Sequence, residues 1–289
     1  MTTRFRLILL GLVIILGVGV FMLVGNTSNE PVEEIVVEKV EDPRIQTVGS
    51  SVEKRKIESY TYGAGDTHLL FVGGVHGGYE WNSVLLAYEV MDYLKINPEA
   101  VPQNITVTII PSLNPDGLYS VVDKEGRFSL GDVPDNEQKT IAGRFNANDV
   151  DLNRNFDCKW QPESTWRGNA VSAGTNAFSE PEAQALRSFV TKEKPNAVVF
   201  WHSQAGNVYA SECENGVLPE TLEVMNTYAD ASGYGAVASF DAYPVTGDAE
   251  GWLASIGIPA VTVEFDTHSS TEFSKNIKGV QALFGLYGK

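Results

Sequence analysis

Three short apolar runs constrain the fold of this chain more than any other feature. Leu69-Leu70-Phe71-Val72 is uninterrupted, as in a strand buried on both faces. Residues 197–201, ending in Val198-Val199-Phe200-Trp201, and the mostly apolar residues 259–265 read the same way. Residues 105–110 form another strand, closed by Pro111. The stretches between them have helical spacing. In residues 81–94, Val84, Leu85, Tyr88, Met91 and Leu94 fall towards one side. Residues 182–190, 219–232 and 278–287 are the other predicted helices, and Ser179-Glu180-Pro181-Glu182 reads as a capped start for the first of these. Buried strands separated by helices predict an α/β fold with a mixed, mainly parallel central sheet and helices on both faces. Residues 114–179 have little periodicity, and so long a loop inside a compact domain is usually functional.

The chain has 289 residues, enough for a large domain with a sizeable core. Lys and Arg number 21 against 37 Asp and Glu, a net charge of −16. A phosphate backbone needs a basic surface, so nucleic acid is excluded as a partner.

Arg4 and Arg6 precede an uncharged apolar run at residues 7–24, long enough to cross a bilayer as a helix. The expected organisation is a cytoplasmic tail at 1–6, a transmembrane anchor at 7–24, an acidic tether at 25–48 and a catalytic domain at 49–289. The two arginines orient the anchor so that the rest lies outside the cytoplasm. The alternative is a signal peptide whose cleavage gives a secreted protein, although no small-x-small site follows Val24. The tether holds Glu30, Glu33, Glu34, Glu38, Glu41 and Asp42 and is too short for a folded pro-domain. Only residues 35–37 within it read as a strand.

Chemistry-bearing residues gather at the ends of the buried strands. His76 follows the first strand, and Glu80 comes four residues later, at the entry to a helix. His202 follows Trp201. Glu264 sits inside the apolar strand Ala260-Val261-Thr262-Val263-Glu264-Phe265, where a carboxylate needs an ion, a partner or a raised pKa. Polar residues at the carboxyl ends of separate strands are the layout of an open α/β active site.

Taken in order, six segments resemble the zinc carboxypeptidase A-like metallopeptidases, in a bacterial-type form. They are His76-Gly77-Gly78-Tyr79-Glu80; Asn114-Pro115-Asp116-Gly117; Arg144-Phe145-Asn146-Ala147 with Asp151-Leu152-Asn153-Arg154-Asn155-Phe156; Trp201-His202-Ser203; the Tyr243 loop; and Thr262-Val263-Glu264. The resemblance covers residues 49–289. It implies one Zn2+ per chain, held by His76, Glu80 and His202, with a fourth position left for water. It implies Glu264 as general base and Arg144 as the stabiliser of the oxyanion, with Arg127 as the alternative. Asn153 and Arg154 match the pair that grips a substrate's terminal carboxylate, and Tyr243 matches a tyrosine that covers it. Glu250, with Asp248 close by, falls where the family reads the substrate side chain, and an acid there favours a cationic one.

The implied activity is a metallocarboxypeptidase acting on peptides with a free C-terminal carboxylate. The alternative is a murein peptide amidase acting on diaminopimelate-containing peptides; a binding module that kept only the fold is a third reading. The chain departs from the family in one place, since one extra residue separates His76 from Glu80, and Gly77 and Gly78 are there to absorb it. Cys158 and Cys213 lie near two of the motifs, and outside the cytoplasm they are expected to form a disulfide.

Overall fold

The computed structural model describes residues 42, 44–240 and 244–289. The expected anchor at 7–24, the strand at 35–37, most of the tether and Tyr243 lie outside the described residues. Among the described residues no helix is long and apolar enough to cross a membrane.

In chain order, β1 (Ile45–Ser50), β2 (Lys56–Gly63) and β3 (Thr67–Val72) precede α1 (Trp81–Ile96) and β4 (Ile105–Ile110). The aperiodic stretch holds α2 (Pro115–Val122), α3 (Glu137–Ala142) and a hairpin of β5 (Glu163–Trp166) and β6 (Asn169–Ser172). Then come α4 (Pro181–Glu193), β7 (Ala197–Ser203), β8 (Asn207–Ala210) and the small pair β9 (Glu212–Cys213) and β10 (Gly216–Val217). The chain continues through α5 (Pro219–Ser232), β11 (Gly235–Val237), α6 (Ala249–Ser255), β12 (Ala260–Phe265) and α7 (Phe273–Tyr287).

Eight strands form one sheet in the order β1-β2-β4-β3-β7-β12-β8-β11. Its centre, β4-β3-β7-β12, is parallel. β1 and β2 pair antiparallel at one edge, and β8 runs antiparallel to β12. The central strands are continuous apolar runs because both faces are covered. Leu69, Phe71, Val199, Trp201, Val261 and Val263 pack with α1, α5 and α7. Leu70, Val72, Val198, Phe200 and Ala260 pack with Leu186 and Phe189 of α4 and Trp252 and Leu253 of α6. Phe71 and Trp201 stack at 5.3 Å with no exposed surface. Truncating either to alanine costs about 3–5 kcal/mol. The two-residue period of a strand then puts His202 and Glu264 on the α4 and α6 face.

The structure extends or moves several expected elements. β1 begins at Ile45, inside the stretch read as tether, and pairs with β2. β7 runs past Trp201 to Ser203, so His202 stands within the strand and not beyond it. Glu180, not Ser179, is the N-cap of α4, and its side chain makes no capping bond; Ser179 Oγ donates to Glu180 Oε1 at 2.8 Å instead. α7 starts at Phe273 because Ile277 already belongs to its buried face.

Candidate active site

β3 delivers the chain to His76. Gly77–Glu80 then make one 3-10 turn that runs directly into α1. This turn accommodates the extra residue between His76 and Glu80. A Cβ at Gly77 would meet Gly143 O at 2.6 Å, and one at Gly78 would meet Val121 Cγ2 at 2.3 Å. Only glycine lets the turn lie this close to α2 and the chain after α3.

β7 brings His202 to the same point. One ligand atom from each of His76, Glu80 and His202 lies within 4.8 Å of the others, and all three residues are buried. His202 Nδ1 is 2.9 Å from Glu80 Oε2. His76 Nδ1 is buried without a hydrogen bond, approached by Asp151 Oδ1 at 3.5 Å. Burial, then the charge of Arg144, hold the His76 imidazole well below its usual pKa, so it is neutral. Burial works against charge on His202 too, but Glu80 and Glu250 overcome it and hold that imidazole well above its usual value. Two imidazoles, one carboxylate and an orphaned buried nitrogen fit the donor set of Zn2+.

The parallel register of β7 and β12 sets Glu264 opposite His202. Glu264 Oε2 is buried with no hydrogen-bond partner among the described residues. Burial and the neighbouring Glu80 carboxylate push Glu264 up to about 8.

The other wall of the site comes from the aperiodic stretch. Arg144 is buried, with Nε and Nη2 each 2.9 Å from Asp151 Oδ2 and Nη1 3.9 Å from Glu80 Oε1. Its guanidinium lies 4.4 Å from the Trp166 ring centroid. Asn114 accepts from Gly117 N at 2.9 Å, capping α2, and donates to Arg144 O at 3.3 Å, so this motif serves to place Arg144. Arg127 lies elsewhere, half-exposed and paired with Asp92 at 2.8 Å. Asp151 is a site residue that sequence reasoning missed; the available signal was an acid placed directly before Leu152-Asn153-Arg154.

Asn153 Oδ1 accepts from Ala249 N at 2.9 Å, fixing the start of α6. Arg154 is buried, and its Nη1 donates to Asn153 O at 2.6 Å and its Nη2 to Thr165 O at 3.4 Å. Among the described residues its Nε has no hydrogen-bond partner. Among the described residues no carboxylate lies within ion-pair distance of it. Asp248 is the N-cap of α6, accepting from Gly251 N at 2.7 Å. Burial and Glu250 push Asp248 up to about 6. Glu250 Oε1 accepts from Thr262 Oγ1 at 3.2 Å and lies 3.3 Å from His202 Nε2. Burial opposes charge on Glu250, but His202 holds its carboxyl below the usual range.

The metal cluster, Glu264, Arg144, Asn153, Arg154, Asp248 and Glu250 face one cavity of about 630 Å³. His268 also faces it, although nothing in its sequence context marked it. Cys158 lines the cavity and is bonded to Cys213, with Cα atoms 6.1 Å apart. That bridge points to an oxidising, extracytoplasmic location.

A buried cluster of two histidines and a carboxylate, opening on a cavity beside a carboxyl of raised pKa, defines a metallohydrolase-type centre on an α/β fold. The zinc carboxypeptidase family matches residues 38–278, and the chain belongs to that family of zinc-dependent peptidases. Among relatives, it is 24% identical over 266 residues to the gamma-D-glutamyl-L-diamino acid endopeptidase 1 of Lysinibacillus sphaericus, covering 83% of this chain and 66% of that protein. It is 31% identical over 142 residues to the murein peptide amidase A of Escherichia coli (strain K12), covering 46% of this chain and 55% of the relative. Its matches thus span about half to two thirds of these relatives' lengths. In structure it resembles the murein-tripeptide amidase of Escherichia coli O157, with a TM-score of 0.61 and 22% identity over 85% of this chain and 93% of the other. It also resembles the carboxypeptidase A of Helicoverpa armigera, with a TM-score of 0.66 and 20% identity over 85% and 69%. At these identities the two structures establish the fold alone.

Proposed function

We propose that this protein is a zinc-dependent metallocarboxypeptidase that hydrolyses the C-terminal peptide bond of peptides outside the cytoplasm. The observation that carries this reading is Arg154: a buried guanidinium facing the cavity of the metal cluster, whose hydrogen-bond partners among the described residues are backbone carbonyls. A buried cation without a counter-charge is costly, and a substrate carboxylate supplies that charge through paired hydrogen bonds. Asn153 shares the carboxylate, and Tyr243 covers it.

His76, Glu80 and His202 would hold the zinc ion, which would supply Lewis-acid chemistry at the site. Glu264 takes the proton of the attacking water and passes one to the leaving amine. A cation held by the cluster would lower the raised pKa of Glu264 and favour its carboxylate form. Arg144, clamped by Asp151, stabilises the negative charge that develops on the carbonyl oxygen. Glu250, with Asp248 beside it, favours a basic side chain on the departing residue. Residues 7–24 hold the domain to the membrane.

A second reading is favoured by the 31% identity to a murein peptide amidase. A diaminopimelate-containing wall peptide also offers a carboxylate for Arg154 and an amine for Glu250. One panel separates the two: zinc-loaded protein with peptides ending in lysine, arginine, diaminopimelate or leucine, and with purified wall fragments. Preference for the basic peptides supports the first reading, and turnover confined to wall fragments supports the second. Preference for leucine would overturn the role given to Glu250.

A further inference from the structure

Two cations stand at the mouth of the cavity without a counter-charge. Lys159 and Arg167 both line it and are exposed, whereas Arg154 and Glu250, which face it further in, are buried. Acids outnumber bases 37 to 21 in this chain, and other exposed cations find one: Lys124 pairs with Asp132, Arg127 with Asp92 and Lys275 with Asp266. Among the described residues neither Lys159 nor Arg167 lies within ion-pair distance of a carboxylate. The β5–β6 hairpin sets Arg167 in place. Trp166 pairs with Asn169, so Arg167 and Gly168 alone make the turn, and their φ angles are both positive, 53° and 78°. That is the backbone of a type I′ turn, whose first position favours asparagine and strains an arginine. Packing holds the hairpin at the site. Trp166 meets Tyr79 edge-on at 5.0 Å, its ring lies 4.4 Å from the Arg144 guanidinium, and Ser164 Oγ is 3.2 Å from Thr246 Oγ1.

Backbone strain of this kind collects at ligand clamps, where the residue is kept for what it meets. Within the fold the Arg167 guanidinium meets only the Trp166 ring among the described residues, at 5.7 Å. Its charge nevertheless reaches the cavity wall: burial raises the Tyr79 phenol above its usual pKa, and Arg167 is the first charge to oppose that. The direction of the substrate decides what Arg167 meets. On the proposed function the terminal residue lies innermost, with its carboxylate on Arg154 and its side chain at Glu250. No chain continues beyond that residue, so the rest of the peptide leads outward through the mouth. Resting on that reading of the site, we infer that Arg167 recognises a second carboxylate, on one of the two residues that precede the departing one. Lys159 adds positive charge to the same mouth. The substrate class is then peptides in which an acidic residue closely precedes a basic C-terminal residue, with a buried acid for the base and an exposed base for the acid.

The test uses blocked tripeptides ending in lysine, with glutamate or its neutral isostere glutamine at the first or the second position and alanine at the other. Binding is measured on the zinc-loaded Glu264→Gln protein, which needs no turnover, and kcat/KM is measured on the wild type. At one of the two positions glutamate should be favoured over glutamine by about three- to fivefold at low salt, and the preference should fade towards one at about 1 M salt. Arg167→Lys keeps the charge and should retain most of the preference. Arg167→Asn suits the turn, so it should unfold at a temperature no lower than the wild type while its glutamate preference falls to about one. A ratio near one at both positions in the wild type would overturn the inference and leave the carboxypeptidase reading standing. So would an Arg167→Asn protein that unfolds earlier and loses both ligands alike, because that is what a merely structural role predicts. If no peptide is cleaved but glutamate still binds more tightly in an Arg167-dependent way, the proposed function fails while the role of Arg167 stands.

Discussion

His202 and Glu264 are placed by the parallel ladder of β7 and β12, whereas Arg144 is placed by the side chains of Asn114 and Asp151, and Arg154 by the carbonyls of Asn153 and Thr165, within an aperiodic stretch. In the first wall, many backbone bonds and two packed faces share the work of positioning. A one-residue slip there would move His202 to the opposite face, so register is strongly specified. In the second wall, single groups carry whole segments. Asn155 Nδ2 alone donates to Ala173 O at 2.7 Å, Asn176 O at 3.1 Å and Ser179 Oγ at 2.9 Å. Asp151 holds Arg144, and the Cys158–Cys213 bridge ties the stretch to β9. The strand wall is thus buffered against side-chain loss outside its ligands, and the loop wall is not.

The largest expected effect is on the loop wall. Closing a loop of this length stabilises by about 4 kcal/mol in the chain-entropy model. Replacing both Cys158 and Cys213 by serine should lower the denaturant midpoint accordingly and leave zinc affinity, set by His76, Glu80 and His202 outside that stretch, nearly unchanged. Thiol labelling of unreduced, denatured wild-type protein should find no free cysteine; an unaltered midpoint in the serine variant would show that the loop wall stands without the bridge.

On the strand wall, Glu264→Gln keeps the shape and removes the proton acceptor. Turnover should fall by at least about 10²-fold while elemental analysis still finds about one zinc per chain. Retained turnover would remove Glu264 from the chemistry. His202→Ala should lose both zinc and activity.

A further expected effect is a pH dependence. In metal-free protein Glu264 is raised from 4.5 to about 8. Between those values the folded state binds more protons than the unfolded one, so the contribution to stability is full below pH 4.5 and is lost as the pH rises through about 8. Chelator-treated protein should lose stability between pH 5 and pH 8, and Glu264→Gln should lose less. Identical pH slopes for the two proteins would show that Glu264 has an ordinary pKa in the fold.

The same contrast explains what the sequence made legible. β3, β4, β7 and β12 could be read because double-sided burial writes itself as continuous apolar runs, and their ends pointed to His76, His202 and Glu264. In residues 114–179 the chain is held by Asn114, Asn146, Asp151 and Asn155, whose side-chain bonds to backbone groups and to other side chains leave no periodic trace. α2, α3 and the β5–β6 hairpin were therefore unread, although Arg144, Asn153 and Arg154 were reached through family resemblance. Asp248 carried a local signal of its own, an aspartate three residues before Gly251 at a helix start, and its carboxylate caps α6 while facing the cavity. His268 could not be found from sequence, because it faces the cavity through contacts with Ser203 and Tyr79, which come from other elements.

The central claim is that the loop wall presents Arg154 to a substrate's terminal carboxylate beside the metal cluster. Its most direct test is the hydrolysis, by zinc-loaded protein, of matched peptides ending in lysine as the free acid or as the amide. A charge-assisted pair exists only with the free acid, so kcat/KM should favour it by about 10- to 100-fold, and Arg154→Ala should erase that preference. Equal cleavage of the two peptides by the wild-type protein would contradict the carboxylate role of Arg154, and with it the assignment as a carboxypeptidase.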